Sequence, residues 1–266
     1  MSTSKGKLII VGTGLRTVGH MTTEAIAWIK VADRVFYLVG DPVGSDMIRA
    51  LNPCAESLET LYSPTRKRID TYNQMIERLM EAVREGHKTC GVFYGHPGVF
   101  VYPSHEAISR ARAEGFPAIM LPGVSAEDCL FADIGVDPAT TGCCSYEATD
   151  YLFHLRPTDP ASAMVLWQIG ILGNDGYNPM GVYETPLMPL LIDKLCHFYN
   201  VNHLVAVYEA AVNFGCKPRI SWVPVRDLAV VALSAGSTLY IPPAVSSRPD
   251  VRVLTWAEAM GIKMPD

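Results

Sequence analysis

The feature that most constrains this chain is the alternation, along its first half, of short β-branched runs with helical patterns. Leu8–Val11, Val35–Val39, Gly91–Tyr94 and Ala118–Leu121 are brief apolar stretches, as strands buried on both faces should be. Between them, Thr22–Ala32, Tyr72–Val83 and Ser104–Ala113 read as helices. Met75, Ile76, Leu79, Met80 and Val83 share one helical face, Gly86 is placed to end that helix, and Ser104 and Gly115 bracket the next. A βαβαβαβ order predicts a parallel sheet covered on both sides.

The second half has a different texture. Ser125–Ile134 reads as a helix with acidic residues in its first turn, and Pro186–Tyr199 as another. Strands are predicted at Met164–Ile169, Leu204–Tyr208, Val230–Leu233 and Ser237–Ile241, with long loops at Gly142–Pro160 and Gly170–Pro186. The expected architecture is therefore α/β, with two α/β domains (residues 1–122 and 123–245), a tail at 246–266 and a hinge near Pro122–Gly123.

Composition narrows the classes of function. With 49% hydrophobic and 18% charged residues among 266, the chain is no disordered segment. A net charge of -5 without any long basic run argues against nucleic acid as partner. No stretch approaches the ~20 apolar residues of a membrane span, and Gly12 and Gly14 interrupt the first apolar run too soon for a signal peptide. The seven cysteines contain no CxxC pair, so no metal site is expected; most should be small buried hydrophobes. A cytoplasmic protein is the expectation.

Four segments could carry chemistry. Gly12-Thr13-Gly14 follows the first strand, but Thr17 stands where a dinucleotide fingerprint needs its third glycine, so the pair serves a tight turn beside a ligand or another backbone. Gly95-His96-Pro97-Gly98-Val99-Phe100 leaves a buried strand at its C-terminal end, where open α/β sheets bind ligands; His96 alone is no base. At Pro122-Gly123-Val124-Ser125-Ala126, helix N-terminal amides could hold an anionic group, or Ser125 could simply cap the helix. Finally, Tyr62 to Tyr72 gathers phenols and cations, and Arg68 and Tyr72 share a face if they open the helix. Such residues are a solvated surface, or else a guanidinium lowering a phenol pKa or stabilising an oxyanion. No Gly-x-Ser-x-Gly elbow or HExxH pattern is present.

Together these blocks resemble the tetrapyrrole methylase superfamily. His96 and the Leu15–Thr22 segment depart from its tetrapyrrole-acting members. The Gly91–Phe100 and Leu121–Asp133 blocks, with Tyr146-Glu147-Ala148 and Tyr240-Ile241-Pro242-Pro243, resemble instead the borosin peptide α-N-methyltransferases, the omphalotin-type enzymes. That resemblance implies S-adenosylmethionine as cofactor, S-adenosylhomocysteine as product, and iterative methylation of backbone amides in a ribosomal peptide. It implies Tyr62, Arg68 and Tyr72 as the catalytic group, with Tyr94 lining the substrate channel. Cofactor contacts would come from Gly95, His96, Pro97, Gly98, Val99, Phe100, Ser125 and Ala126, and from Gln168, Tyr208, Ala210, Ala211, Gly236 and Thr238 in a cleft between the domains. Fused members carry the peptide as a C-terminal extension. The sequence after Pro243 has no repetitive small apolar run, so a separate precursor bound in trans is expected, with a homodimer and an enzyme–precursor heterotetramer. The competing expectations are a small-molecule methyltransferase of the precorrin type and a silent cofactor- and peptide-binding module.

Overall fold

A computed structural model describes residues 6–176, 178 and 183–262. Its first half runs β1 (Lys7–Gly12), α1 (Thr17–His20), α2 (Thr23–Val31), β2 (Arg34–Leu38), α3 (Pro42–Leu51), β3 (Ala55–Ser57), α4 (Arg68–Arg84), β4 (Lys88–Phe93), α5 (Tyr102–Ala113) and β5 (Ala118–Met120). The strands form one all-parallel sheet in the order β3-β2-β4-β1-β5. Alternation along β1 shows why both faces are apolar. Leu8 and Ile10 pack with Met75, Ile76 and Leu79 of α4, whereas Ile9 and Val11 pack with Ala25, Ile29 and Ile48 of α2 and α3.

The second half comprises α6 (Ala126–Ile134), α7 (Pro138–Thr141), β6 (Cys143–Glu147), α8 (Ala148–Phe153), β7 (Ala163–Trp167), α9 (Met188–Cys196), β8 (Leu204–Glu209), β9 (Arg219–Pro224), β10 (Thr238–Ile241) and α10 (Val251–Ala259). Its sheet, ordered β6-β7-β10-β8-β9, is mixed: only β6 and β7 run parallel. One face holds Met164, Leu166, Val205, Val207, Leu239 and Ile241 against α8 and α9. The other holds Val165, Trp167, Ala206 and Tyr208 against Leu130 of α6.

Several expectations are corrected. The segment around Val230–Leu233 is no strand: a 3-10 helix covers Val225–Val230, Val230 is largely exposed, and Val231 and Leu233 only cap the core. Gly142–Pro160 is not a bare loop, since it contains β6 and α8. Ser104 does not cap α5, which starts two residues earlier with Pro103 in its first turn and leaves Ser104 buried inside it. Of the cysteines only Cys90 is fully buried; Cys54, Cys196 and Cys216 are exposed, and all seven are free thiols. Among the described residues no helix is long and apolar enough to cross a membrane.

Candidate active site

The loops after β1, β4 and β5 converge at the C-terminal edge of the parallel sheet. Gly14 and Gly95 form an isolated bridge, with N–H to carbonyl distances of 3.1 and 3.0 Å in the two directions. A Cβ on Gly12 would lie 2.3 Å from the Gly95 oxygen and 2.7 Å from Pro97 Cδ. A Cβ on Gly123 would lie 2.8 Å from the same oxygen. The first glycine pair therefore answers to another backbone: three loops lock together because no side chain stands between them.

Around this knot open three adjoining cavities. One of about 390 Å³ is lined by Leu15, Thr17, Asp41, Tyr94, Glu209 and Val212 among others. A second, of about 160 Å³, shares Leu15, Tyr94, Ala126, Gly236 and Thr238 with it and adds Phe100, Val101, Trp167 and Gln168. A third and wider one, of about 620 Å³, shares Phe100, Val101 and Gln168 with the second and continues along Arg68, Tyr72, Tyr102 and His105. The walls come from both sheets.

The phenols and Arg68 sit where α4 begins. Because the helix opens at Arg68, that residue and Tyr72 share a face, as their spacing requires. The Arg68 guanidinium reaches across to the segment after β7: Nε donates to the Gly176 carbonyl at 2.8 Å and Nη2 to that of Asn174 at 3.2 Å. Tyr62 and Tyr72 both pack against the core on this side of the sheet. Burial pushes the Tyr62 hydroxyl pKa well up, and the neighbouring Tyr72 and Tyr94 add to this; Arg68 pulls it down by less. Tyr94 behaves alike, raised first by burial. Tyr94 lines two of the cavities and leaves 54% of its surface open. The expectation that the guanidinium lowers a phenol pKa is thus corrected for Tyr62 and Tyr94: desolvation wins, and both remain protonated donors at neutral pH.

Residues 7–213 match the family described as Tetrapyrrole (Corrin/Porphyrin) Methylases. The chain belongs to the tetrapyrrole methylases. Curated relatives include a methyltransferase/ribosomally synthesized cyclic peptide dendrothelin A precursor of Dendrothele bispora, 40% identical over 99% of this chain and 64% of that protein. A type I borosin cyclic peptide precursor methyltransferase of Coprinopsis marcescibilis is 44% identical over 91% of this chain and 63% of its own length. The omphalotin A precursor methyltransferase of Omphalotus olearius is 40% identical over 97% and 63%. The chain thus spans just under two thirds of the length of these relatives. Among solved structures, uroporphyrin-III-C-methyltransferase from Thermus thermophilus superposes with a TM-score of 0.64 at 20% identity, covering 90% of this chain and 93% of that one. A cobalt precorrin-4 methyltransferase gives 0.61 at 15%, covering 91% and 97%. These two establish the fold.

In this tetrapyrrole methylase the expected site residues fall into groups. Gly95, His96, Val99, Phe100, Ser125, Ala126, Gln168, Gly236 and Thr238 line the 160 Å³ cavity, while Tyr208 and Ala210 line the 390 Å³ one. Pro97 and Gly98 line none of the three: Pro97 packs on Gly12, and the Gly98 N–H donates to His96 Nδ1 at 2.9 Å. Ala211 faces a separate cavity of about 320 Å³ beside Arg16 and His20. The Tyr208 hydroxyl is committed to Asp133 at 2.8 Å. Ser125 does cap α6, in a reciprocal box with Asp128 whose carboxylate already takes the Ser125 N–H at 2.7 Å. Sequence reasoning missed Asp41, Tyr102, His105, Trp167 and Glu209. Trp167 could have been found, because it ends a buried strand, as Tyr94 follows one. Glu209 could not: burial opposes its charge, but hydrogen bonds from Ser237 and Ser234, with Arg219, outweigh this and hold its pKa low. Among the described residues no cluster of three His, Cys, Asp or Glu is placed to bind a metal.

Proposed function

We propose that this chain is an S-adenosylmethionine-dependent methyltransferase that works iteratively on backbone amides of a ribosomally made precursor peptide. The observation that carries this reading is the adjacency of two unlike cavities through Phe100, Val101 and Gln168, one of them bordered by Arg68 and Tyr72. The residues fit the cofactor's chemistry. The smaller cavities join apolar walls (Leu15, Val99, Phe100, Trp167) to the carboxylates Asp41 and Glu209, as an amphiphilic cation with hydroxyl groups requires. When bound, S-adenosylmethionine supplies an electrophilic methyl group on a positively charged sulfur.

The remaining demands fall on the chain. An amide nitrogen is a poor nucleophile because its lone pair is delocalised into the carbonyl. Transfer requires loss of the N–H proton and a partner for the negative charge that then develops on the carbonyl oxygen. Arg68 is always charged and already pairs with main-chain carbonyls, those of Asn174 and Gly176, so it is chemically suited to that oxygen. Tyr62, kept protonated by burial, serves as a second donor. Tyr72 must enter this step as a phenolate, so that it takes the proton, directly or through a water it holds, and becomes a neutral phenol.

The peptide reading draws support from the relatives, whose names join methyltransferase and precursor in one protein. Supply in trans, with a homodimer binding two precursors, is the form we propose here, although those names describe supply in cis. The test is co-expression of the chain with the precursor segment of the Dendrothele bispora relative and with small open reading frames beside its own gene, followed by peptide fragmentation in a mass spectrometer. Single-methyl mass steps localised to backbone nitrogens are expected, and Arg68→Ala and Tyr72→Phe should abolish them. Near wild-type methylation in both variants would reject the residue roles. Methylation of an added tetrapyrrole but of no peptide would reject the substrate.

A further inference from the structure

Among the described residues only two that are not glycine adopt a left-handed backbone: Phe100, at φ 55°, and Gln168, at φ 62°. A bulky or long side chain there costs about 1–3 kcal/mol, a conformation that persists only where the surroundings impose it. The two come from different sheets, Phe100 from the loop after β4 and Gln168 from the residue after β7. Both line the 160 Å³ and the 620 Å³ cavities. Each lies beside a fixed neighbour. The Phe100 ring lies 5.8 Å from the Trp167 ring, and the Trp167 indole is pinned by its Nε1–H bond to Ser145 Oγ at 2.7 Å. The peptide after Gln168 is tied to β10's approach, Ile169 N–H donating to the Ser237 carbonyl at 3.1 Å.

The lining of the 160 Å³ cavity contains no Asp or Glu, yet it contains Tyr94, Phe100 and Trp167. A cation held there meets aromatic faces rather than carboxylates. We infer that Phe100, Trp167 and Gln168 form the port between methyl donor and acceptor, with the Phe100 ring facing the donor's positive sulfur and the other two acting as positioning residues. This rests on the S-adenosylmethionine reading above and adds to it a chemical criterion, recognition of charge by an aromatic face.

The test compares, by titration calorimetry, a ligand with a positive sulfur and one with a neutral sulfur. Phe100→Leu keeps an apolar side chain on the same strained backbone and removes only the aromatic face. Its affinity for S-adenosylmethionine should fall about fivefold while that for S-adenosylhomocysteine, whose sulfur carries no charge, stays within about twofold. Phe100→Tyr should restore the wild-type ratio. Gln168→Gly is the second variant, since glycine accepts the left-handed backbone. It should melt at or above the wild-type temperature and show the same selective loss. Equal losses for both ligands, or none in either variant, would overturn the inference. Failure of the wild-type chain to bind either ligand would instead overturn the methyltransferase reading itself.

Discussion

At the scale of single residues, the decisive fact is that burial dominates charge around the phenols. Tyr62 has its hydroxyl pKa raised despite Arg68, so the folded state prefers the neutral phenol. The sign of the linkage follows. Above about pH 10, the ordinary tyrosine value, the unfolded chain gives up this proton while the folded chain keeps it, and folding weakens as pH rises. Tyr199 and Tyr208 are raised by burial as well and act in the same sense. Urea midpoints should therefore hold between about pH 7 and 9 and decline above about pH 10, with Tyr62→Phe declining less steeply. Arg68 offers a complementary prediction. A lysine would have to reach both carbonyls from one nitrogen, whereas Arg68 meets Gly176 through Nε and Asn174 through Nη2 of a rigid plane. Arg68→Lys should keep the charge yet lower methyl transfer by roughly 100-fold, measured as single-turnover rate.

At the scale of elements, the loop knot gives the sharpest contrast. Gly12→Ala drives a methyl into the Gly95 carbonyl and the Pro97 ring, neither of which can rotate away, and should cost about 2–3 kcal/mol in urea unfolding. At Gly19 a Cβ meets nothing within 4 Å, so Gly19→Ala should be neutral or slightly stabilising, by well under about 1 kcal/mol. The same elements show what a sequence can reveal. β1, β2 and β4 were legible because burial on both faces demands unbroken apolar runs, and α4 because Met75, Ile76, Leu79 and Val83 repeat at helical spacing. β3, β6 and β9 were not. They are edge strands, half-buried and carrying Glu56, Ser145 and Arg219, so they lack the unbroken apolar run of a strand covered on both faces. Val230–Leu233 misled for the opposite reason: an apolar run can cap a core without joining its sheet. In the site, local spacing revealed Arg68 with Tyr72, but only the topology brings Tyr102 and His105 to them.

At the scale of the molecule, the proposed ligand cavities draw their walls from both sheets. The parallel sheet contributes Leu15, Asp41, Tyr94 and Phe100; the mixed sheet contributes Trp167, Gln168, Glu209 and Thr238. A ligand bound there must be released when either half opens, so its binding energy couples the two. At a free concentration of about 100 times Kd, binding adds about 2.7 kcal/mol to the stability of any state that retains both walls. Trp28 packs with the core of the first sheet and Trp222 lies on β9 of the second, so 5-fluorotryptophan labelling gives each half its own 19F reporter while Trp167 stays in place. With S-adenosylhomocysteine at that concentration, both reporters should shift to higher urea together and their transitions should become more nearly coincident. A shift confined to one reporter would place the ligand within a single half, and the shared-wall site would have to be abandoned.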